Sequence, residues 1–598
     1  MLSLDSILSQ SVSDACLELF GFLPEEKQIS IQSTRTEFEG ERTLVVFPFT
    51  RLAKKSPEAT GEAIGEFLLA NQKIVTGYGV VKGFLNLKIS DEYWASALNA
   101  AVLDKNCFGL QPLGSKPQVM VEYSSPNTNK PLHLGHLRNI FLGYSVSNIL
   151  QAAGHDVVKV QIINDRGIHI CKSMIAWQLF GGGETPKTTG EKGDKFVGRY
   201  YVAFDKQYKI EIAKLLTSGH DQESAEAEAP ILLAARELLH KWEAEDVEVR
   251  TLWSTMNGWV YEGFEFTYTE MGVDFDKLYY ESDTYLIGKD EIKKGIVSGA
   301  FTQREDGSVW IDLSDIGLDE KLLLRKDGTA VYITQDIGTA ILRFEEYPNL
   351  DRQVYTVGNE QEYHFKVLFA TLEKLGLPQA SRCHHLSYGM VELPEGKMKS
   401  REGTVVDADD IMAEMKTTAE KLAREAGKLD NIPEGDQELL FKDVGYGALK
   451  YFLLKVDPKK SMMFDPAASI DFIGNTGPYI QFNYVRARSI LRNSGVDDVT
   501  SLLPIVPIQF DKSERALLMS ALSLPGIIED AARAYDPSLV ANLCYDITKS
   551  YSSWYQNHPI LKEEDEQIRS ARLALCALCS SAVKIGMSLL GVSMPERM

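Results

Sequence analysis

The chain has 598 residues and a mass of 66.8 kDa, several times the length of an ordinary domain, which excludes a single small module and leaves ample chain for buried cores. Hydrophobic residues at 44% and charged residues at 25% are the proportions of a folded globular protein, too apolar for a disordered chain. The formal net charge of −21 excludes avid nonspecific coating of nucleic acid, yet residues 439–598 carry 17 basic and 17 acidic side chains. The acidic excess therefore lies wholly in residues 1–438, and a local basic face stays open to the C-terminal part. Seven scattered cysteines, an odd and sparse set, point to a reducing compartment, so a cytoplasmic location is expected. No basic leader precedes the first apolar residues and no unbroken apolar run has the length of a bilayer span, so neither secretion nor membrane insertion is expected.

In chain order, residues 1–112 alternate helix-like stretches with short strands and end in a strand pair turning at Gly83, which predicts a small α+β domain. Val119 and Val121 mark a strand, a turn rich in Ser, Pro and Asn follows, and apolar periodicity predicts a helix from Leu134 to Ala153 that stops at Gly154. A strand over Val157–Ile163 completes a β-α-β unit, and further strands over 352–358 and 385–391 predict a parallel α/β sheet domain spanning 113–438. The acidic helical pattern of about 165–275 interrupts it as an insertion. From 439 to 598 the period is almost wholly helical, predicting an α-helical bundle.

Two segments carry the chemistry. In Glu122-Tyr-Ser-Ser125-Pro-Asn127-Thr-Asn-Lys130-Pro-Leu-His133-Leu-Gly135-His136, the His-x-Gly-His opens the first helix of the β-α-β unit, where free N–H groups and the helix dipole favour an anion. His133, His136 and Lys130 can donate to phosphoryl oxygens, and Gly135 lets a flat base approach the backbone. Alone, the motif is more readily a pair of capping or core histidines; zinc would want a third ligand. The second segment, Glu395-Gly-Lys397-Met398-Lys399-Ser400-Arg-Glu-Gly403-Thr404, suits a loop that closes on a polyphosphate, although taken alone it fits a charged surface turn better. Cys576-Ala-Leu-Cys579 has no neighbouring His or second pair, so buried thiols rather than zinc are expected.

Together, a His-x-Gly-His at the first helix and a Lys-Met loop after a late strand resemble the paired signature of class I aminoacyl-tRNA synthetases. The surrounding wording is narrower. Ser125-Pro126-Asn127, Lys130-Pro131, Ser400-Arg401-Glu402-Gly403-Thr404, Tyr332-Ile-Thr-Gln-Asp336, Thr476-Gly-Pro-Tyr-Ile-Gln481 and the terminal Met594-Pro595-Glu596 resemble the arginyl-tRNA synthetases along the whole chain. That resemblance implies a Rossmann-like catalytic domain, an N-terminal domain that contacts tRNA and a helical anticodon-binding domain. It implies ATP-dependent formation of arginyl-adenylate and transfer of the arginyl group to the 2′-OH of the terminal adenosine of tRNA(Arg), with activation that itself needs the tRNA. ATP would bring its Mg2+ without a dedicated protein metal site, and the chain would act as a monomer. Asp336 matches the carboxylate that receives the guanidinium of L-arginine, with Tyr332 as its phenolic companion and Glu122 as a second carboxylate. Ser125, Asn127, His136 and Gln361 would hold the amino and carboxylate ends, with Glu360 able to take the place of Gln361. His133, Gly135, His136, Lys397, Met398, Lys399 and Ser400 would bind ATP. Where the class has Lys-Met-Ser-Lys-Ser, Ser400 stands at the second Lys, so Lys130 and Lys399 are expected to share the catalytic cation's work, with Lys397 beside them. Arg486, Arg488 and Arg492, near Tyr479 and Tyr484, combine cations with aromatics suited to unpaired bases; a solvated helix face is the bland alternative.

Overall fold

The computed structural model describes residues 4–35, 37–285, 287–392, 406–425, 429 and 432–598. Packing divides the chain into two compact units, one built from residues 1–108, 483–525 and 543–585, the other from 109–482, 526–542 and 586–598.

The larger unit holds a five-stranded parallel sheet. Its strands are β1 (Lys116–Glu122), β2 (His155–Ile163), β3 (Lys277–Tyr280), β4 (Leu350–Gly358) and β5 (Cys383–Tyr388), in the order β5-β4-β1-β2-β3. Their middles, among them Val119 to Val121, Val157, Val158, Val160 and Val354, are buried, the signature of a sheet covered on both faces. Helix α1 (Leu134–Ala152) joins β1 to β2. It is buried nearly all round, from Leu137 and Ile140 to Val146 and Leu150, and so shows no one-sided apolar stripe. A Cβ at Gly143 would lie 2.2 Å from the side chain of Tyr123, so glycine lets the helix close on the end of β1. Helices α2 (Tyr332–Glu346) and α3 (Glu362–Lys374) precede and follow β4. The chain order reverses between β1 and β4, and the carboxyl ends of those strands form the crevice where such sheets bind ligands. Asn139 of α1 spans it: its Nδ2 donates to Thr356 O at 2.6 Å and its Oδ1 accepts from Ser124 N–H at 2.6 Å.

Two insertions enlarge this sheet. Six helices, from Ile168–Phe180 to Val247–Met271, stand between β2 and β3, as the acidic helical pattern predicted. Between β3 and α2 lies a small antiparallel sheet of Thr302–Gln303, Val309–Ile311 and Lys321–Leu324. The sequence reading missed it because its strands are too short for alternation to show. Phe301, Val309, Ile311 and Leu323 form one hydrophobic cluster with Ile333 and Ile337 of α2 and Phe365 and Leu368 of α3.

The smaller unit combines an antiparallel sheet, in the order Ile31–Ser33, Arg42–Val45, Phe84–Ile89, Val75–Val81, with helices Leu4–Phe20, Pro57–Asn71, Asp91–Leu103 and Lys512–Leu522. Arg515, largely buried, bonds Glu41 at 2.9 Å and Asp91 at 2.7 Å and so fastens the C-terminal helices to the N-terminal sheet. Helix Glu566–Leu589 is long and apolar enough to cross a bilayer, a length the residue-run reading passed over because polar residues punctuate it; 72% of its most apolar window is buried inside the protein, as in a core helix. Cys576 and Cys579 lie there fully buried, and burial pushes the Cys576 thiol up to about 12.

Candidate functional site

His133 caps α1 in extended conformation (φ −140°, ψ 174°), and its N–H donates to His136 Nδ1 at 3.1 Å. The two rings lie 3.8 Å apart, tilted by 34°. A Cβ at Gly135 would meet the His133 ring at 3.1 Å, so the motif's glycine gives that imidazole room over the first helical turn. Because His136 Nδ1 accepts, its proton sits on Nε2, which is left as a donor. Burial, reinforced by Lys130, brings His133 down to about 4 and His136 well below its ordinary range. At neutral pH both are uncharged donors, and the positive potential comes from Lys130 and the helix N-terminus. His133 Nδ1, Thr128 Oγ1 and Asn129 Oδ1 are buried without a hydrogen-bond partner among the described residues, which is what a site finished by a polar ligand looks like.

Lys397, Met398, Lys399 and Ser400 lie outside the described residues. The chain on each side of them is fixed to α1. Arg138, 1% exposed, donates to Gly389 O at 2.7 Å, Lys460 O at 2.8 Å and Pro458 O at 3.2 Å. Val391 and Glu392 pair with Met462 and Met463, His133 makes a β-bridge with Asp407, and Ala408 N–H bonds Leu132 O at 2.9 Å. Lys195 reaches Asp410 at 2.8 Å and Asp407 at 3.5 Å, and Lys192 reaches Asp409 at 2.7 Å, so the helical insertion secures the chain where it returns. Burial pushes Asp407 up to about 6.

Beyond the ends of β3 and β4 the site is acidic. Asp336, in the second turn of α2, accepts from His364 Nε2 of α3 at 2.7 Å, and both side chains are about one-third exposed. Glu281, the residue after β3, is buried; burial pushes its carboxyl up to about 7, with Arg166 opposing and the charges of Asp165 and Asp336 adding. Glu122, buried at the end of β1, already has a guanidinium partner within the chain: Arg343 at 2.5 Å, whose cation also lies 4.7 Å from the ring of Tyr279. Tyr332, the first residue of α2, is 79% exposed. The backbone of Ser125 to Thr128 is bound to Asn164, through Asn164 Nδ2 to Ser125 O at 3.2 Å and Thr128 N–H to Asn164 O at 3.1 Å, and the Asn127 side chain is exposed. Gln361 is exposed at the start of α3, whereas the Glu360 carboxylate folds back over Gly358, where a Cβ would meet it at 2.4 Å.

The structure thus brings Lys130, His133, Gly135 and His136 into one helix start and Asp336 to the neighbouring strand tip. Arg486 and Arg488 are half-buried and Arg492 exposed on helix Gly477–Asn493; Arg486 donates to Asn483 Oδ1 at 3.2 Å, and Tyr484 is buried at 3% exposure, which removes it from contact with bases. Sequence reasoning missed Arg138, Asn139, Glu281, Arg343 and His364. The rule that ligands gather beyond the carboxyl ends of parallel strands would have pointed to Glu281.

Residues 97–465 match the family described as tRNA synthetases class I (R), catalytic domain, and residues 480–598 match the DALR anticodon binding domain. The chain is 53% identical to the arginine–tRNA ligase of Porphyromonas gingivalis over 99% of each chain, and 51% identical to that of Bacteroides thetaiotaomicron over the full length of both. Among solved structures it is similar to the arginyl-tRNA synthetase of Thermus thermophilus, with a TM-score of 0.79 and 25% identity over the whole of both chains.

Proposed function

Since the chain belongs to the arginyl-tRNA synthetase family, we propose that it ligates L-arginine to tRNA(Arg) in two steps at the crevice between β1 and β4. The observation that carries this reading is the meeting there of two opposite environments: neutral imidazole donors with Lys130 at a helix start, and the carboxylates of Asp336 and Glu281 beyond β4 and β3. The carboxylate of arginine attacks the α-phosphate of ATP in line, and pyrophosphate leaves; no side-chain nucleophile takes part. His136 Nε2–H and His133 donate to phosphoryl oxygens, while Lys130 and Lys399 meet the charge moving toward pyrophosphate. Mg2+ arrives with ATP. The 2′-OH of the terminal adenosine then takes the arginyl group, and AMP leaves.

Asp336 receives the guanidinium, Glu281 adds a second negative charge, and Glu122 serves through Arg343 as part of the wall. Ser125, Asn127 and Gln361 hold the amino acid's other end. Residues 1–112 contact the tRNA, 113–438 form the catalytic domain, and 439–598, with Arg486, Arg488 and Arg492, receive the anticodon. The protein works as a monomer in the cytoplasm. Charging of tRNA(Arg) with each of the twenty amino acids tests this reading: arginine alone should be esterified. A protein that transfers AMP to another acceptor would be a nucleotidyltransferase, and one that binds tRNA(Arg) without charging it would be a non-catalytic relative.

A further inference from the structure

His364 and Asp336 face each other across the tip of β4, one from the first turn of α3 and the other from the second turn of α2, with Nε2 2.7 Å from Oδ2. An aspartate about one-third open to water turns freely about its side-chain bonds unless something holds it. Here the imidazole takes Oδ2, and Oδ1 has no partner among the described residues. We infer that His364 is a positioning residue for amino-acid selection, which fixes Asp336 so that Oδ1 is presented to the substrate guanidinium, and does so as a neutral imidazole.

The charge state follows from what surrounds the ring. The hydrogen bond to Asp336 and that residue's charge favour the imidazolium and raise the His364 pKa from its ordinary value, while burial opposes them; His385 of β5, stacked on Phe365 at 4.3 Å, lies close enough for the charge of His364 to lower its own pKa. Glu281 faces Asp336 from the end of β3, Glu360 and Glu362 lie toward His385, and buried Tyr355 lies near Asp336 from β4. An arriving guanidinium would compete with a proton on His364 for the same carboxylate. Two cations on one aspartate are worse than one, so arginine binding should favour the neutral ring and weaken as pH falls through the raised pKa.

This inference rests on the reading that Asp336 receives the guanidinium, and the experiment separates the two. Arginine KM, ATP KM and kcat for charging are measured from pH 5.5 to 8.5 for the unmodified protein, His364→Ala, His364→Gln and Asp336→Asn. His364→Ala should raise arginine KM about 10- to 100-fold, the scale of a lost hydrogen bond to a charged group, with kcat and ATP KM within about threefold. His364→Gln, which keeps a donor amide and cannot be protonated, should restore most of the affinity and reduce the rise of arginine KM on acidification. Arginine KM within twofold of normal in His364→Ala, or an acid limb unchanged in His364→Gln, would overturn the inference. Asp336→Asn with a normal arginine KM would overturn the underlying site reading as well, whereas its collapse beside a silent His364→Ala would remove His364 alone.

Discussion

At the start of α1, His133 and His136 are held neutral beside Lys130, whereas beyond the tips of β3 and β4 the carboxylates of Glu281 and Asp336 share a region with His364, whose pKa the hydrogen bond to Asp336 raises. Both regions stand at the carboxyl end of one parallel sheet. On the proposed reading, the difference teaches how a single fold edge would receive a polyanion on a nucleotide side and a cation on an amino-acid side. On that reading the nucleotide side supplies donors and a helix dipole, with the charge of Lys130 outside two uncharged rings. The proposed amino-acid side gathers the carboxylates of Glu281 and Asp336, and burial with the neighbouring negative charges raises the Glu281 pKa, so a guanidinium there would favour its ionised form.

The largest expected effects fall on the nucleotide side. Lys130→Ala and Lys399→Ala should each lower kcat of adenylate formation by about 10²- to 10³-fold with smaller changes in KM, the scale of losing one preorganised donor. On the proposal that both cations act on one developing charge, the double variant should depart from additivity by roughly 0.5–3 kcal/mol. Pre-steady-state adenylate formation for the four proteins of this cycle checks it. A silent Lys399→Ala would leave Lys130 to act alone or with Lys397.

Glu281→Gln sharpens the comparison through stability. A carboxyl raised from 4.5 to about 7 by burial destabilises the folded protein above pH 7, where it must ionise, and the penalty fades as pH falls toward 5. At pH 8 the glutamine should therefore stabilise the larger unit by up to about 3 kcal/mol while raising arginine KM; denaturant unfolding at pH 5 and pH 8 reads the gain, which should shrink at the lower pH.

The two sides should also part in their pH dependence. With His133 at about 4 and His136 well below its ordinary range, ATP KM should stay level between pH 8 and 5.5, while arginine KM rises on acidification as Glu281, at about 7, takes up its proton and as His364, its pKa raised by Asp336, takes up another. A histidine limb near pH 6.5 in ATP KM would contradict the neutral pair. Smallest of all, Tyr332→Phe should change stability by less than about 0.5 kcal/mol, because its ring is exposed; if its hydroxyl touches arginine, the change will appear in arginine KM alone.

The same contrast explains what was legible in the sequence. The nucleotide side is contiguous: a strand, Lys130, His133, Gly135 and His136 fall within 21 residues of one another, between Lys116 and His136, and the helix N-terminus follows from where apolar periodicity begins. The amino-acid side is assembled from Glu281, Asp336 and His364, which only the sheet order brings to neighbouring strand tips. Asp336 was found because a family resemblance marked it. His364 stood in plain view in the segment from Gly358 to His364, but nothing in one dimension says that the first turn of α3 meets the second turn of α2. Arg343 was invisible for a related reason: seven residues after Asp336 on the same helix, it reads as one more surface arginine until β1 places Glu122 against it. Buried polar pairs of this kind are written by tertiary contact, not by local pattern.

The most direct measurement compares arginine with citrulline, its uncharged isostere, as kcat/KM for charging tRNA(Arg). The unmodified protein should prefer arginine, and Asp336→Asn should remove about 2–5 kcal/mol of that preference while ATP KM stays near normal. Discrimination undiminished in Asp336→Asn would contradict the assignment of the acidic side to the guanidinium and, with it, the division of the site into two opposite electrostatic halves.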